Sequence, residues 1–230
     1  MTPDPTILDG GRIVLWNADC LQVLPTLEPG SVDAFVMDPP YPREFMPLFG
    51  QVAEHAKRLL PIGRHLVSLC GHYEVADVLA DMTKYLRWFW LGAVSHHICA
   101  CVWHYHLRAN FKPVLWFTNG EPDIRWEGGM PDAVRPTGPD KTYHVWGQPA
   151  EWARHWIARI TKPDELVCDP FLGGGSTGVA CILEGRRFIG IENNRESFDK
   201  AVAHIQTELD ARDGQGPLMR AAKLIEEPER

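Results

Sequence analysis

The sequence predicts an α/β domain built on a mostly parallel sheet. Short apolar runs alternate with amphipathic helical patterns along most of the chain. One such run feeds a triple-glycine turn that opens directly into a helical pattern, as in strand–turn–helix units. The rhythm breaks between residues 88 and 117, where three strand-like runs follow one another with no helix between them. That break predicts an antiparallel hairpin closing one sheet edge.

Taken in order, Arg12–Asn17 reads as a strand and Cys20–Leu27 as a short helix with apolar spacing at Leu21, Leu24 and Leu27. Val32–Met37 is the next strand, Pro47–Leu60 an amphipathic helix, His65–Cys70 a strand and Tyr73–Met82 a helix. The hairpin region holds Trp88–Ser95, Ile98–Trp103 and Pro113–Phe117. Residues 119–147 are rich in Gly, Pro and Asp without periodicity and read as an extended loop or small insertion. Alternation then resumes with helix Pro149–Ile160, strand Glu165–Asp169, helix Ser176–Glu184, strand Arg187–Glu192 and helix Glu196–Ala211. Main strands starting at Arg12, Val32, His65, Trp88, Pro113, Glu165 and Arg187 make seven. The end of the chain from Arg212 is polar.

A length of 230 residues with 45% hydrophobic and 23% charged composition fits one globular domain. No apolar run reaches the length of a membrane span. The opening MTPDPTILDGG has neither a basic nor an apolar leader region, so a cytosolic protein is expected. Its cysteines, at 20, 70, 99, 101, 168 and 181, lie in apolar segments and are expected to be reduced core residues. A net charge of −7 excludes a protein that coats nucleic acid through bulk positive charge. Local charge differs: Lys84, Arg87, Arg108 and Lys112 occupy a stretch without acids, and Arg125, Arg135 and Lys141 follow. The cluster HHICACVWHYH, His96 to His106, lacks CxxC or HxxxH spacing, so no metal site is expected there.

Two stretches carry chemistry. In FVMDPPYPREF, Phe35 to Phe45, a strand runs into Asp38, Pro39, Pro40 and Tyr41. Adjacent prolines end the strand and contribute no N–H groups, leaving a rigid turn of acceptors beside an aromatic ring. Its ligand should offer N–H groups and a flat face. In LVCDPFLGGGSTGVACILEGRRFIGIENN a strand ends at Asp169, glycines 173–175 turn the chain, and a second strand ends at Glu192. Backbone can approach a nucleotide-like ligand at such a turn, and an acid about 20 residues on can accept both ribose hydroxyls. Because the stretch is FLGGGSTG and not GxGxxG, it favours a ribose–amino-acid cofactor over a dinucleotide.

FxGxG followed by a strand-end acid, together with DPPY, resembles the amino-group DNA methyltransferases that use S-adenosylmethionine. With DPPY first and the glycine motif last, the chain is similar to their permuted beta subgroup, over Arg12 to Ala211. The resemblance implies a Rossmann-like seven-stranded, mostly parallel sheet with one antiparallel edge strand and helices on both faces. It implies one domain over 1–211, with 104–147 a small target-recognition insertion and 212–230 a polar tail. By this likeness the DPPY turn holds the target base: Asp38 and the Pro39 carbonyl accept the base amine's N–H groups, beside Pro40, and Tyr41 stacks on the flipped base. Asp38, where the cytosine-N4 enzymes carry Ser, favours adenine N6. Phe171, Gly173 and Gly175, flanked by Asp169, Ser176 and Thr177, match the cofactor turn; Glu192 matches the ribose acid and Asp19 an acid near the cofactor adenine. Gln148 and Pro149 stand where the family often has Gln-Lys-Pro, without the lysine. Arg108, Lys112, Arg125, Trp126, Arg135 and Lys141 are candidate DNA contacts. So small an insertion implies a short recognition site or help from a second copy in a homodimer. Two other readings compete: a non-catalytic nucleic-acid-binding subunit on the same fold, and a nicotinamide-dependent oxidoreductase, which leaves DPPY unexplained. For Asp19 a plain helix cap is the alternative, and for Glu192 a surface acid.

Overall fold

The computed structural model describes residues 3–102, 106–136 and 150–214, apart from the side chains of 96–102. Its centre is β3 (Ala34–Met37), in which every residue is buried. Phe35 and Met37 enter one apolar layer, Ala34 and Val36 the other, as period-2 geometry requires of a strand covered on both faces. Around it lie β2 (Ile13–Trp16), β4 (His65–Leu69), β8 (Leu166–Asp169) and β9 (Arg187–Ile191), all parallel to one another. The sheet continues through β5 (Arg87–Val102) and β6 (Leu107–Thr118), with short β1 (Thr6–Leu8) and β7 (Ala133–Val134) at its margins. The strand order is β1-β2-β9-β8-β3-β4-β6-β5-β7.

The α/β class and the hairpin agree with the sequence reading; three details differ. Nine strands are described where seven were expected, because β1 and β7 span three and two residues, too short to carry a periodic signal. The first two runs of the hairpin region form the single strand β5, bent by register irregularities between Trp88 and Trp90 and between Ser95 and Ala100. An antiparallel strand, β1, does lie at one edge beside β2, but β6 is antiparallel and internal: it pairs with β4 and β5, and β5 lies outside it. Since β4 ends at Leu69 opposite Val114, the earlier residues of β6 run on with β5 as a two-stranded ribbon past the carboxyl ends of the parallel strands.

Helices cover both faces. On one lie α1 (Cys20–Val23), α2 (Met46–Leu59) and α3 (Val75–Met82). Helix α2 buries Met46, Phe49, Val52, Ala53, Ala56 and Leu59, the three-and-four spacing of an apolar stripe. The opposite face carries α4 (Ala150–Ile160), α5 (Ser176–Leu183) and α6 (Arg195–Arg212), with Trp152 and Trp156 of α4 fully buried. No helix among the described residues is long and apolar enough to cross a membrane.

Charges fasten the amino ends of the parallel strands. Arg64 donates to Asp33 Oδ1 at 2.7 Å and pairs with Glu165, which also accepts from Arg125 at 2.7 Å. Beside them His65 accepts from Trp116 Nε1 at 3.0 Å through Nδ1, which leaves Nε2–H to donate to the Asp123 carbonyl at 3.0 Å. Burial pushes the His65 pKa down and keeps the ring neutral. The ring of Trp126 packs against His65 and Trp116, tying the segment after β6 to the core.

Burial raises the Glu165 carboxyl pKa, but the bonds from Arg64 and the Lys162 N–H and the charges of Arg64 and Arg125 outweigh it, and the net shift is downward. A depressed carboxyl stabilises the fold above its unfolded pKa and loses that contribution as pH falls through the folded one. Arg64→Ala, which takes the shared guanidinium from Asp33 and Glu165, is expected to cost roughly 3 kcal/mol at pH 7. Urea midpoints measured at pH 7 and pH 3 check this, and the gap from wild type should shrink at the lower pH.

Candidate active site

From β3 the chain crosses through α2 to β4 on one side of the sheet's centre, and from β8 through α5 to β9 on the other. At such a reversal the loops leaving neighbouring strands part and open a crevice beyond their carboxyl ends. Here the parting strands are β3 and β8, so the DPPY turn and the glycine turn are next to each other. A cleft of about 1070 Å³ lies there. Ala18 and Asp19 line it after β2, Asp38–Pro42 after β3, Asp169–Gly174 from the end of β8, and Glu192 and Asn193 after β9.

The glycine turn is held from several sides. Phe171 N–H donates to Asp169 Oδ1 at 2.9 Å, and Gly175 N–H donates to the Leu172 carbonyl at 2.9 Å. Gly175 has φ of 85°, and a Cβ there would sit 3.2 Å from the backbone of Ala201 on α6. Only glycine satisfies both constraints. Glu192 accepts from Gly173 N–H at 3.0 Å and from Asn194 N–H at 2.8 Å, so its carboxylate is fixed at the cleft wall. Asp19 caps α1 by accepting from Leu21 N–H at 2.9 Å, yet it also stands at the cleft rim.

Across the cleft Pro39 is buried, while Asp38 and Tyr41 are half-buried. The Tyr41 hydroxyl donates to Asp38 Oδ1. Burial, and then the Asp38 charge, push the phenol pKa well above its usual range, so the proton stays on Tyr41. Lys112 reaches in from β6: its Nζ donates to the Tyr41 oxygen at 3.0 Å, stands 4.7 Å from the ring centroid and 3.8 Å from Asp38 Oδ2.

Asp19, Asp38, Glu44, Asp169 and Glu192 all line this cleft, and among its described lining Lys112 is the one Lys or Arg. Such a surface suits a ligand bearing positive charge and hydroxyl groups, and disfavours a pyrophosphate. Burial pushes the Asp169 pKa up to about 7, against hydrogen bonds from Thr177 and the Phe171 N–H, while the charges of Asp38 and Glu192 raise it further. A cation bound nearby would favour its ionised form. Cys20 also lines the cleft, but burial and then Asp19 push its thiol up to about 12, so it offers no thiolate nucleophile.

Of the residues picked out from sequence, Asp38, Pro39, Pro40, Tyr41, Asp19, Asp169, Phe171, Gly173, Ser176, Thr177 and Glu192 come together in this cleft. Gly175 stands behind it, packed on α6. Gln148, Pro149 and Lys141 lie outside the described residues, as do the side chains of His96–Tyr105. The candidate DNA contacts among the described residues do not converge. Arg108 is exposed on the ribbon and Arg135 is exposed beyond β7. Arg125 and Trp126 are at the opposite end of the sheet, held by Glu165 and by the aromatic cluster. Lys112 faces the cleft. Sequence reasoning missed Ser197 and His204 of α6, which also line it; His204 Nδ1–H donates to the Gly174 carbonyl at 2.8 Å. Neither carried a signal, since α6 reads only as an amphipathic helix.

A family model described as DNA methylase, for N6 and N4 enzymes, matches residues 32–203. The chain belongs to this family. Similar members include the type II methyltransferase M.Cfr9I of Citrobacter freundii, 47% identical over 26% of this chain and 20% of its own length. Another is M.HindIII of Haemophilus influenzae, 39% identical over 45% of this chain and 42% of its own. The chain thus spans well under half the length of these two methyltransferases. The putative methylase YubD of Escherichia coli is 28% identical over 76% of this chain and 82% of its own. In fold the chain is similar to M1.HpyAVI, solved as a SAM complex, with a TM-score of 0.70 and 24% identity over 84% of this chain and 99% of that one. It is also similar to the cytosine-N4-specific PvuII DNA methyltransferase, with a TM-score of 0.78 and 16% identity over 96% and 97%.

The raised Asp169 pKa has a measurable consequence. Without ligand, the folded protein keeps a proton there that the unfolded chain releases, so stability should fall as pH rises from about 4 to about 7. Asp169→Asn is expected to flatten that slope and to be the more stable protein at pH 8, by a few kcal/mol at most. Urea unfolding at pH 5 and pH 8 reads the difference.

Proposed function

We propose that this family member transfers a methyl group from S-adenosylmethionine to the exocyclic N6 amine of adenine in DNA, as a member of the permuted beta subgroup. The observation that carries the reading is the placement of an acceptor-rich, proline-stiffened turn beside an acidic glycine-turn cleft on adjacent strands. S-adenosylmethionine, when bound, supplies an electrophilic methyl on a sulfonium. Glu192 and Asp19 would accept hydroxyl and amine protons of its nucleoside half, while Asp169 and the backbone around Gly173 border its charged end. Its net positive charge fits the carboxylate lining.

The base amine is a weak nucleophile because its lone pair is delocalised into the ring. Acceptance of its two N–H bonds by Asp38 and the Pro39 carbonyl localises that pair towards the methyl. Extruding a base from the duplex costs a few kcal/mol; stacking on Tyr41 returns about 1–3, and a hydrogen bond to a charged carboxylate adds roughly 1.5–3. These terms balance without a covalent intermediate. Asp38, in place of the serine of cytosine-N4 enzymes, supports adenine as the target. The ribbon of β5 and β6, carrying exposed Arg108, and the segment to 147 with Arg135 and Lys141 are our candidates for the DNA-recognition insertion, with a second copy completing a short site.

Incubation with labelled S-adenosylmethionine and DNA, followed by nucleoside mass spectrometry, is expected to yield N6-methyladenine; N4-methylcytosine would reassign the base. Asp38→Ala should lower turnover at least a hundredfold while calorimetry still registers cofactor binding. Loss of both together would place Asp38 in the wrong role.

A further inference from the structure

We propose that Lys112 is a positioning residue for the chemistry at the DPPY turn, taking hold of the Tyr41 hydroxyl when the target base displaces it from Asp38. The inference rests on the methyl-transfer reading above and adds a residue to it. Its basis is geometric. Lys112 stands on β6 just beyond the last pair with β4, where the ribbon first clears the sheet, and its half-buried ammonium turns into the cleft. There a chain of donors runs from Lys112 Nζ to the Tyr41 oxygen, and from the Tyr41 hydroxyl to Asp38 Oδ1.

That chain holds the turn in a resting arrangement. Tyr41 occupies an oxygen of Asp38 that a base amine would need, and its ring cannot stack on a base while its hydroxyl is held there. Entry of the base therefore requires Tyr41 to let go of Asp38. The released hydroxyl then has Lys112 as its remaining partner, and Asp38 keeps the ammonium 3.8 Å from its other oxygen. Removal of Lys112 takes away the ammonium that donates to the Tyr41 oxygen, so the displaced ring loses the contact that would hold it for stacking.

The experiment compares wild type with Lys112→Met, Lys112→Gln and Lys112→Arg, with cofactor binding by calorimetry confirming that each variant folds. Single-turnover methyl transfer is measured alongside DNA affinity against salt. The Met and Gln variants are expected to lose about 10–100-fold in rate, with cofactor and DNA affinity unchanged. Arg should recover most of the rate. An unchanged rate, with weaker DNA binding and a salt slope lowered by about one, would make Lys112 a phosphate contact and overturn the proposal. Wild-type protein that transfers no methyl overturns the functional reading itself, a result separable from active wild type with indifferent variants.

Discussion

The pairing of β3 with β8 is the constraint from which the rest of the cleft descends. The two strands share a short register, Ala34 with Val167 and Phe35 with Cys168, and then diverge. Their amino ends are clamped: Leu166 N–H donates to Asp33 Oδ2, and Arg64 bridges Asp33 and Glu165. With one end tied and the helices of the two strands leaving to opposite faces, the carboxyl ends separate. The crevice thus follows from how the chain crosses the sheet, and it delivers two turns of unlike chemistry to a common wall. One is stiffened by prolines and supplies acceptors. The other is made of glycines and supplies close backbone approach.

Much of this was legible before any coordinates. Strands buried on both faces, such as β3, β4 and β8, are continuous apolar runs, and α2 announces itself by spacing. The turns were legible because Pro-Pro and Gly-Gly-Gly restrict or free the backbone in ways few other residues do. Placement across the sheet was not. Lys112 is 71 residues from Tyr41, and Arg125 is 40 residues from Glu165; nothing local distinguishes a lysine that turns into a cleft from one that faces solvent. The outer half of the sheet was blurred for a related reason. Residues 107–112 alternate polar and apolar as one strand of a solvated ribbon, and a loop or a recognition insertion produces the same composition.

The electrostatics of the fold separate the two tasks that the proposed reaction needs. An overall acidic chain gains nothing from bulk attraction to a polyanion, so basic groups matter by position. Arg64, Arg125 and Arg186 are spent internally, against Asp33, Glu165 and Glu184. Exposed Arg108 and Arg135 are not engaged in that way and flank the ribbon side of the molecule. The acids, in contrast, concentrate where a positively charged cofactor would sit.

Crowding carboxylates in one cleft has a cost, and each of the three deepest meets it differently. Asp169, fully enclosed, meets it by holding a proton up to about pH 7 and by accepting from Thr177 and Phe171. Glu192 is half-buried and is met by two backbone N–H groups, neutral donors that leave its charge intact and its remaining lone pairs directed outward. Asp38 accepts from the side chain of Tyr41 and has the Lys112 ammonium 3.8 Å from its other oxygen. Only the last arrangement lets a ligand's N–H groups replace a side-chain donor while the charge stays compensated. A carboxylate that must accept from an incoming amine needs partners that can be exchanged, whereas one that orients a resident cofactor needs partners that stay. On the proposed methyl transfer, the backbone donors at Glu192 and the side-chain donors at Asp38 divide along that line.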